Sequence, residues 1–218
     1  MTVSYHPTEE LILSYASGAL DEANSILIAT HLSLCAQCRD VYNAAESIGG
    51  ELLDDIDTAE ITNTSFDEFF SSIEHFPLDP VIKPSTSIPQ NTFLPNPLRD
   101  YINFSDGKIN WRWLGPGLRY HSIEASSEFA KVGLLKISPG TKVPHHGHSG
   151  KEMTMVISGG YTDGIDKFSR GDVELADPSL IHQPVAEPGE DCICLVVTEG
   201  NLRPTGALAS IMNKFSSF

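Results

Sequence analysis

Residues 31–38 read His31-Leu32-Ser33-Leu34-Cys35-Ala36-Gln37-Cys38, and His6 lies 25 positions upstream of His31. On a helix, His31 and Cys35 are four apart and share one face, a single turn from each other. Cys38 comes within reach if the chain bends tightly after Cys35. Two thiolates and two neutral imidazoles form the tetrahedral donor set of a closed structural zinc site, with His6 supplied by the preceding segment. The alternative is a pair of small buried cysteines beside surface histidines. A redox CxxC would need a βαβ setting, which the flanking sequence lacks. A zinc clamp also answers a physical need, because a helical domain of about 80 residues has a barely sufficient apolar core.

Downstream stands a second constellation, Gly140-x5-His146-x-His148-x3-Glu152-x6-Gly159, followed by His182. Residues two apart on a strand point to the same side, so His146 and His148 project together. Glu152 follows a short turn, and His182 returns from a later strand. Three imidazoles and a carboxylate suit zinc, manganese, iron, nickel or copper, and geometry alone does not choose among them. The two sets use five of the eight histidines and two of the four cysteines. His145 breaks the alternation and is expected to face outward, while His75 and His121 are read as surface or hydrogen-bonding residues. Cys192 and Cys194 read as small apolar groups on one strand face.

The surrounding patterns divide the chain. Leu11, Ile12, Tyr15 and Leu20 follow Pro7-Thr8-Glu9-Glu10, a helix start, with Gly18 at its end. Asp21 can cap a second helix that reaches Cys35, and a third runs from Ala36 toward Gly49-Gly50, which should weaken or bend its far end. Phe66, Phe69, Phe70, Ile73 and Phe76 recur on one helical stripe. Five prolines between Pro80 and Pro97 mark a linker. Beyond residue 100, short runs rich in β-formers (111–114, 131–137, 152–157, 172–175 and 192–198) alternate with Gly and Pro breaks, as in a sandwich or barrel. The end, 208–218, could form one short helix.

The formal net charge of −15 is unevenly shared. Residues 1–80 hold 15 acidic side chains and a single basic one, Arg39, whereas 81–218 are nearly balanced. Such a surface repels a phosphate backbone, which argues against direct nucleic-acid binding, and it attracts a basic protein partner. No apolar run approaches the ~18 residues of a membrane span, and the start lacks the features of a secretory signal. A soluble, cytoplasmic protein is expected.

His6-x24-His31-x3-Cys35-x2-Cys38 resembles the zinc-binding anti-sigma factors, and the second constellation resembles the first motif of the cupins. The second cupin motif is partial: Gly171, Pro178 and His182 are present, but Leu180 replaces a glycine and the closing Asn is missing. The two in this order are similar to ChrR-type anti-sigma factors. That resemblance implies an all-α zinc-binding helical bundle over 1–80, a Pro-rich linker over 81–99, an all-β cupin barrel over 100–200 and a tail over 201–218. It implies zinc on His6, His31, Cys35 and Cys38, and a second divalent metal, zinc being the first choice, on His146, His148, Glu152 and His182. The implied function is sequestration of an extracytoplasmic-function sigma factor, released under singlet oxygen or related oxidative stress. Phe66, Phe69, Phe70 and Ile73 are the partner-binding candidates, although Phe69 and Phe70 would also serve to complete the domain's own core. The alternative is a metal-dependent cupin enzyme, a dioxygenase or isomerase, with an accessory helical zinc module.

Overall fold

The computed structural model describes residues 2–58, 66–74, 93–102, 104–105, 108–200 and 202–204. Phe76, His75, most of the proline-rich stretch and the proposed C-terminal helix lie outside the described residues. Among the described residues, five helices precede the strands: α1 (Glu9–Ala16), α2 (Glu22–Leu34), α3 (Ala36–Asp54), α4 (Phe66–Ile73) and α5 (Asn96–Arg99). Then come β1 (Phe104–Ser105), β2 (Lys108–Ile109), β3 (Arg112–Gly115), β4 (Leu118–Ile123), β5 (Ala130–Ile137), β6 (His146–His148) and β7 (Glu152–Ser158). They are followed by β8 (Gly160–Thr162), β9 (Lys167–Ser169), β10 (Val173–Ala176), β11 (Ile181–His182), β12 (Val185–Ala186), β13 (Cys192–Glu199) and β14 (Leu202–Pro204).

Local chemistry sets the helix ends. The Thr8 hydroxyl accepts from the Leu11 amide at the start of α1, and Gly18 follows its end with φ +69°. Asp21 Oδ1 accepts from the Asn24 amide at 2.9 Å and caps α2. Cys35 closes α2 and opens α3, its extended backbone (φ −109°, ψ 111°) making the bend between them. The Arg39 guanidinium donates to the Leu32 carbonyl at 2.7 Å, covering an acceptor that the α2 terminus leaves free. α3 continues through Gly49 and Gly50 to Asp54, so that pair does not end the helix.

The β part is wholly antiparallel. A six-stranded sheet in the order β10-β7-β13-β5-β4-β3 accompanies two three-stranded sheets, β11-β6-β14 and β12-β8-β9, and a β1-β2 ribbon. Among the described residues these ladders do not close on themselves, so the expected barrel is an open arrangement of sheets. The central strands β7 and β13 are buried on both faces, which explains why β13 reads as a nearly unbroken apolar run. Val156, Cys192 and Cys194 enter a core shared with Tyr161, Phe168 and Ala186 of the smaller sheets. Met153, Met155, Leu195 and Val197, on the opposite face, share a core with Ile12, Ile26, Leu27 and Leu32 of the helices.

That second core makes the helices and the sheet one packed unit. α2 is buried nearly all round because α1 and α3 cover one side while β5, β13 and α5 cover the other. Leu94 and Leu98 are fully buried in the same core, so the proline-rich stretch ends in packed structure. Two polar seams pin α2 at its N-terminus: the Ser127 hydroxyl donates to Asp21 Oδ2 at 2.9 Å, and the Ser126 amide donates to Glu22 Oε2.

Phe69 and Phe70 do not complete this core. They are 56% and 44% exposed, and Phe66 and Ile73 are exposed as well.

Candidate metal centres

The first cluster forms where α2 meets α3. His31 lies in the last turn of α2, Cys35 at the bend, Cys38 in the first turn of α3, and His6 arrives from the extended N-terminal segment. The donor atoms of all four lie within 4.8 Å of one another. His31 Nε2 is 3.2 Å from Cys38 Sγ, and His6 Nδ1 is 3.4 Å from both Cys35 Sγ and Cys38 Sγ. A tetrahedron built on Zn–N and Zn–S bonds has edges of about 3.3–3.8 Å, so the donors stand at close to zinc-binding separations without rearrangement.

Protonation is arranged for the same end. His31 Nδ1 is 2.9 Å from the Gly171 carbonyl, an acceptor only, so the proton sits on Nδ1 and the Nε2 lone pair faces the cluster. Burial lowers the His31 pKa to about 4, keeping the ring neutral. Burial also raises the Cys38 thiol to about 12, helped by its hydrogen bond to Cys35. Without a cation this thiol would stay protonated; a divalent ion between the sulfurs reverses that preference.

The second cluster sits on the small sheet edge against β7. His182 pairs directly with His146 in the β11–β6 register, and Gly147 turns its bare face to the Leu180 carbonyl. His182 Nε2 lies 3.2 Å from both His146 Nε2 and His148 Nε2, so three ring nitrogens converge on one point. Glu152 begins β7, with Oε2 3.4 Å from His148 Nδ1 and Oε1 accepting from the Thr154 hydroxyl at 3.1 Å. The Nδ1 atoms of His146 and His182 face the Pro144 carbonyl (2.8 Å) and Glu174 Oε1 (3.0 Å), which leaves Nε2 free to bind. All four donors are buried and lie within 4.8 Å of one another. Nitrogen separations of 3.2 Å suit four, five or six ligands at ordinary bond lengths, so the choice of metal stays open.

Burial dominates the electrostatics here. It lowers His146 to about 3 and His148 to about 4, with the neighbouring imidazoles adding to the effect. It raises Glu152 to about 7. At His182 burial also works against the charge, but the hydrogen bond and charge of Glu174 outweigh it and raise its pKa. His145 is exposed, as expected, and His121 bonds the Asn110 carbonyl through Nδ1 at 2.9 Å. Cys192 and Cys194 are buried with sulfurs 3.6 Å apart.

Several residues of this site were not foreseen from sequence. Glu174 bridges His182 and the Tyr161 hydroxyl, Thr154 orients Glu152, and Asp172 holds the N-terminal segment. The available signal was a pair of acidic residues, Asp172 and Glu174, beside an apolar strand. A cleft of about 340 Å³ between the clusters is lined by Tyr5, His6, Asp163, Phe168, Glu174 and Leu180.

A thiolate–imidazole cluster at a helix junction, packed on a cupin-like β unit with its own imidazole–carboxylate cluster, defines the class. The ChrR cupin-like domain family matches residues 100–202. The chain is similar to the anti-sigma-E factor ChrR of Cereibacter sphaeroides, 36% identical over 215 residues and 99% of either chain. It is also similar to a chain in the crystal structure of Rhodobacter sphaeroides SigE in complex with the anti-sigma ChrR. There the identity is 37% and the TM-score 0.75, over 91% of this chain and all of that one. The chain belongs to the ChrR anti-sigma factor family. Among the described residues, no helix is long and apolar enough to cross a membrane.

Proposed function

We propose that this chain is a cytoplasmic anti-sigma factor that sequesters an extracytoplasmic-function sigma factor and releases it in response to singlet oxygen or related oxidants. Residues 1–80 are the zinc-binding inhibitory domain, 81–99 the linker, 100–200 the metal-binding cupin sensor and 201–218 the tail. His6, His31, Cys35 and Cys38 would hold zinc as a structural clamp. His146, His148, Glu152 and His182 would hold a second divalent ion, zinc in the first instance, whose chemistry would be to present open coordination positions to a small molecule.

One observation carries the reading. The acidic helical region leaves large apolar side chains in solvent: Ile48, Leu52, Leu53 and Ile56 at the end of α3 and beyond it, and Phe66, Phe69, Phe70 and Ile73 on α4. Such exposed apolar side chains, set in a region of strong negative charge, suit a basic partner with an apolar groove, as a sigma factor would offer. Direct binding to nucleic acid does not fit that charge. Copurification with an extracytoplasmic-function sigma factor from its own cell tests the proposal. Replacing Phe66, Phe69, Phe70 and Ile73 by Asp should spare the fold, because these side chains are exposed, and weaken sigma binding by about 100-fold or more. Undiminished binding by a folded variant would overturn the assignment of this surface. Turnover of small oxidisable compounds by the full chain would instead favour the enzyme reading.

A further inference from the structure

The two metal-ligand clusters are joined by four consecutive residues, Gly171 to Glu174, each of which bonds toward one of them. Gly171 offers its carbonyl to His31 Nδ1 at 2.9 Å. Asp172 is buried (3% exposed), and its carboxylate accepts three backbone amides: Ser4 (2.6 Å) and Tyr5 (3.1 Å) on Oδ1, and Ser169 (2.8 Å) on Oδ2. The Val173 amide donates to the Tyr5 carbonyl at 3.0 Å. Glu174 holds His182 Nδ1 at 3.0 Å and accepts from the Tyr161 hydroxyl.

The segment Val3–Tyr5 is thereby strapped to the β unit immediately before His6, the first ligand of the thiolate cluster. The Tyr5 ring reinforces the strap, lying 4.7 Å from Phe168 with its hydroxyl donating to Asp166 at 2.7 Å. The approach is close: a Cβ on Gly171, where φ is +95°, would stand 2.7 Å from Val3 Cγ2. Three residue steps of extended chain, about 10 Å, therefore separate the group that orients a ligand of one cluster from the group that orients a ligand of the other.

From this geometry we infer that Asp172 is a positioning residue that couples the two metal centres, so that occupancy of the cupin cluster governs how tightly the thiolate cluster holds its ion. The inference rests on the metal assignments proposed above. His182 Nε2 would be held by an ion shared with His146, His148 and Glu152, and its Nδ1–H bond to Glu174 would then steady β10. A steadied β10 would keep Asp172 and Gly171 against Ser4, Tyr5 and His31, and so His6 and His31 aimed at the sulfurs. Without that ion His182 and Glu174 would be held by their own hydrogen bonds alone, and any added freedom would reach the strap through backbone. A buried carboxylate with three amide donors transmits such a shift well, because any movement leaves a charge or an amide unpaired.

Cobalt(II) in place of zinc separates the two centres, since near-ultraviolet thiolate-to-cobalt absorption comes only from the cluster containing Cys35 and Cys38. The experiment follows loss of that absorption from the full-length protein after addition of a chelator. His146→Ala, which empties the cupin cluster, should speed the loss at least about fivefold in an otherwise native chain. In Asp172→Ala the loss should already be about tenfold faster, and adding His146→Ala should change it by less than about twofold. Ser4→Pro removes the shorter amide bond from the strap side and leaves β10 untouched, so it should reproduce the result even if Asp172→Ala folds poorly. An equal effect of His146→Ala with and without the strap, or no effect in the native chain, overturns the coupling. Absence of the thiolate absorption altogether would instead overturn the metal assignment, and the inference with it.

Discussion

The two clusters solve opposite problems. Three ligands of the first lie within eight residues of one helix–bend–helix, and the fourth comes from the N-terminal segment that Asp172 holds against the β unit. Its donors suit a tetrahedron, and two thiolates would supply the charge that balances a divalent ion. The second draws its ligands from three strands spread over 37 residues, on a framework that the six-stranded sheet already makes rigid. It has a single carboxylate and no sulfur. With ions bound, the first would be a centre that helps its surroundings fold and the second one that its surroundings hold in place.

Removing one thiolate should therefore produce the largest effect. Cys35→Ser or Cys38→Ser is expected to abolish metal at the first centre and release His6 and α3, with a loss of several kcal/mol or more of stability in the helices. Circular dichroism melting with metal analysis would register it, and a fully metallated, equally stable variant would erase the distinction. His146→Ala is the matching change in the other centre. It should remove one ion of the two while leaving helical content and the thiolate–cobalt spectrum in place at equilibrium, because the sheet does not depend on that metal to fold. Collapse of the β unit on this change would show that both centres are structural.

How far the sequence disclosed this contrast depended on the range of the interactions. Asp21 as a cap, the bend at Cys35 and the convergence of His146 with His148 are set by neighbours within a few positions, and periodicity exposes them. The local members of both clusters were legible for that reason, while His6 and His182 followed from motifs. Strands β4, β8 and β9 escaped notice because they are short or carry mixed polarity, and long-range pairing fixes them. Nothing local tells that Asp172 holds Ser4, 168 positions away, or that Leu94 and Leu98 end a proline-rich stretch in a core. The unbroken apolar run of β13 was legible as a strand; that its second face packs on α2 was not, since the run looks the same against a sheet or a helix.

Acid and base should act on His31 and Glu152 of the metal-free protein with opposite sign. His31 falls from 6.5 to about 4 on folding, so its contribution is complete above pH 6.5 and is lost as pH drops toward 4. Glu152 rises from 4.5 to about 7, so its contribution is complete below pH 4.5 and is lost as pH climbs through 7. Glu152→Gln isolates the second effect, because the amide cannot ionise. Metal-free Glu152→Gln protein should match the native chain at about pH 4 and gain on it up to about pH 8, by on the order of 3 kcal/mol. Thermal melts of both proteins across that range measure the difference, and parallel curves would mean that the folded site does not penalise the carboxylate.

The smallest expected change probes the seam between the regions. Asp21 serves both, its Oδ1 capping α2 and its Oδ2 receiving the Ser127 hydroxyl from the loop before β5. Asp21→Ala should cost about 1–2 kcal/mol, the cap supplying most of it. Asp21→Asn keeps a capping oxygen but turns an amide toward Ser127, whose hydroxyl can reverse its role and accept. The Asn variant should thus recover most of the loss while the Ala variant does not, read as the difference in their denaturation midpoints. Equal losses from both would mean that the charge at the seam, rather than the cap, holds this end of α2 against the sheet.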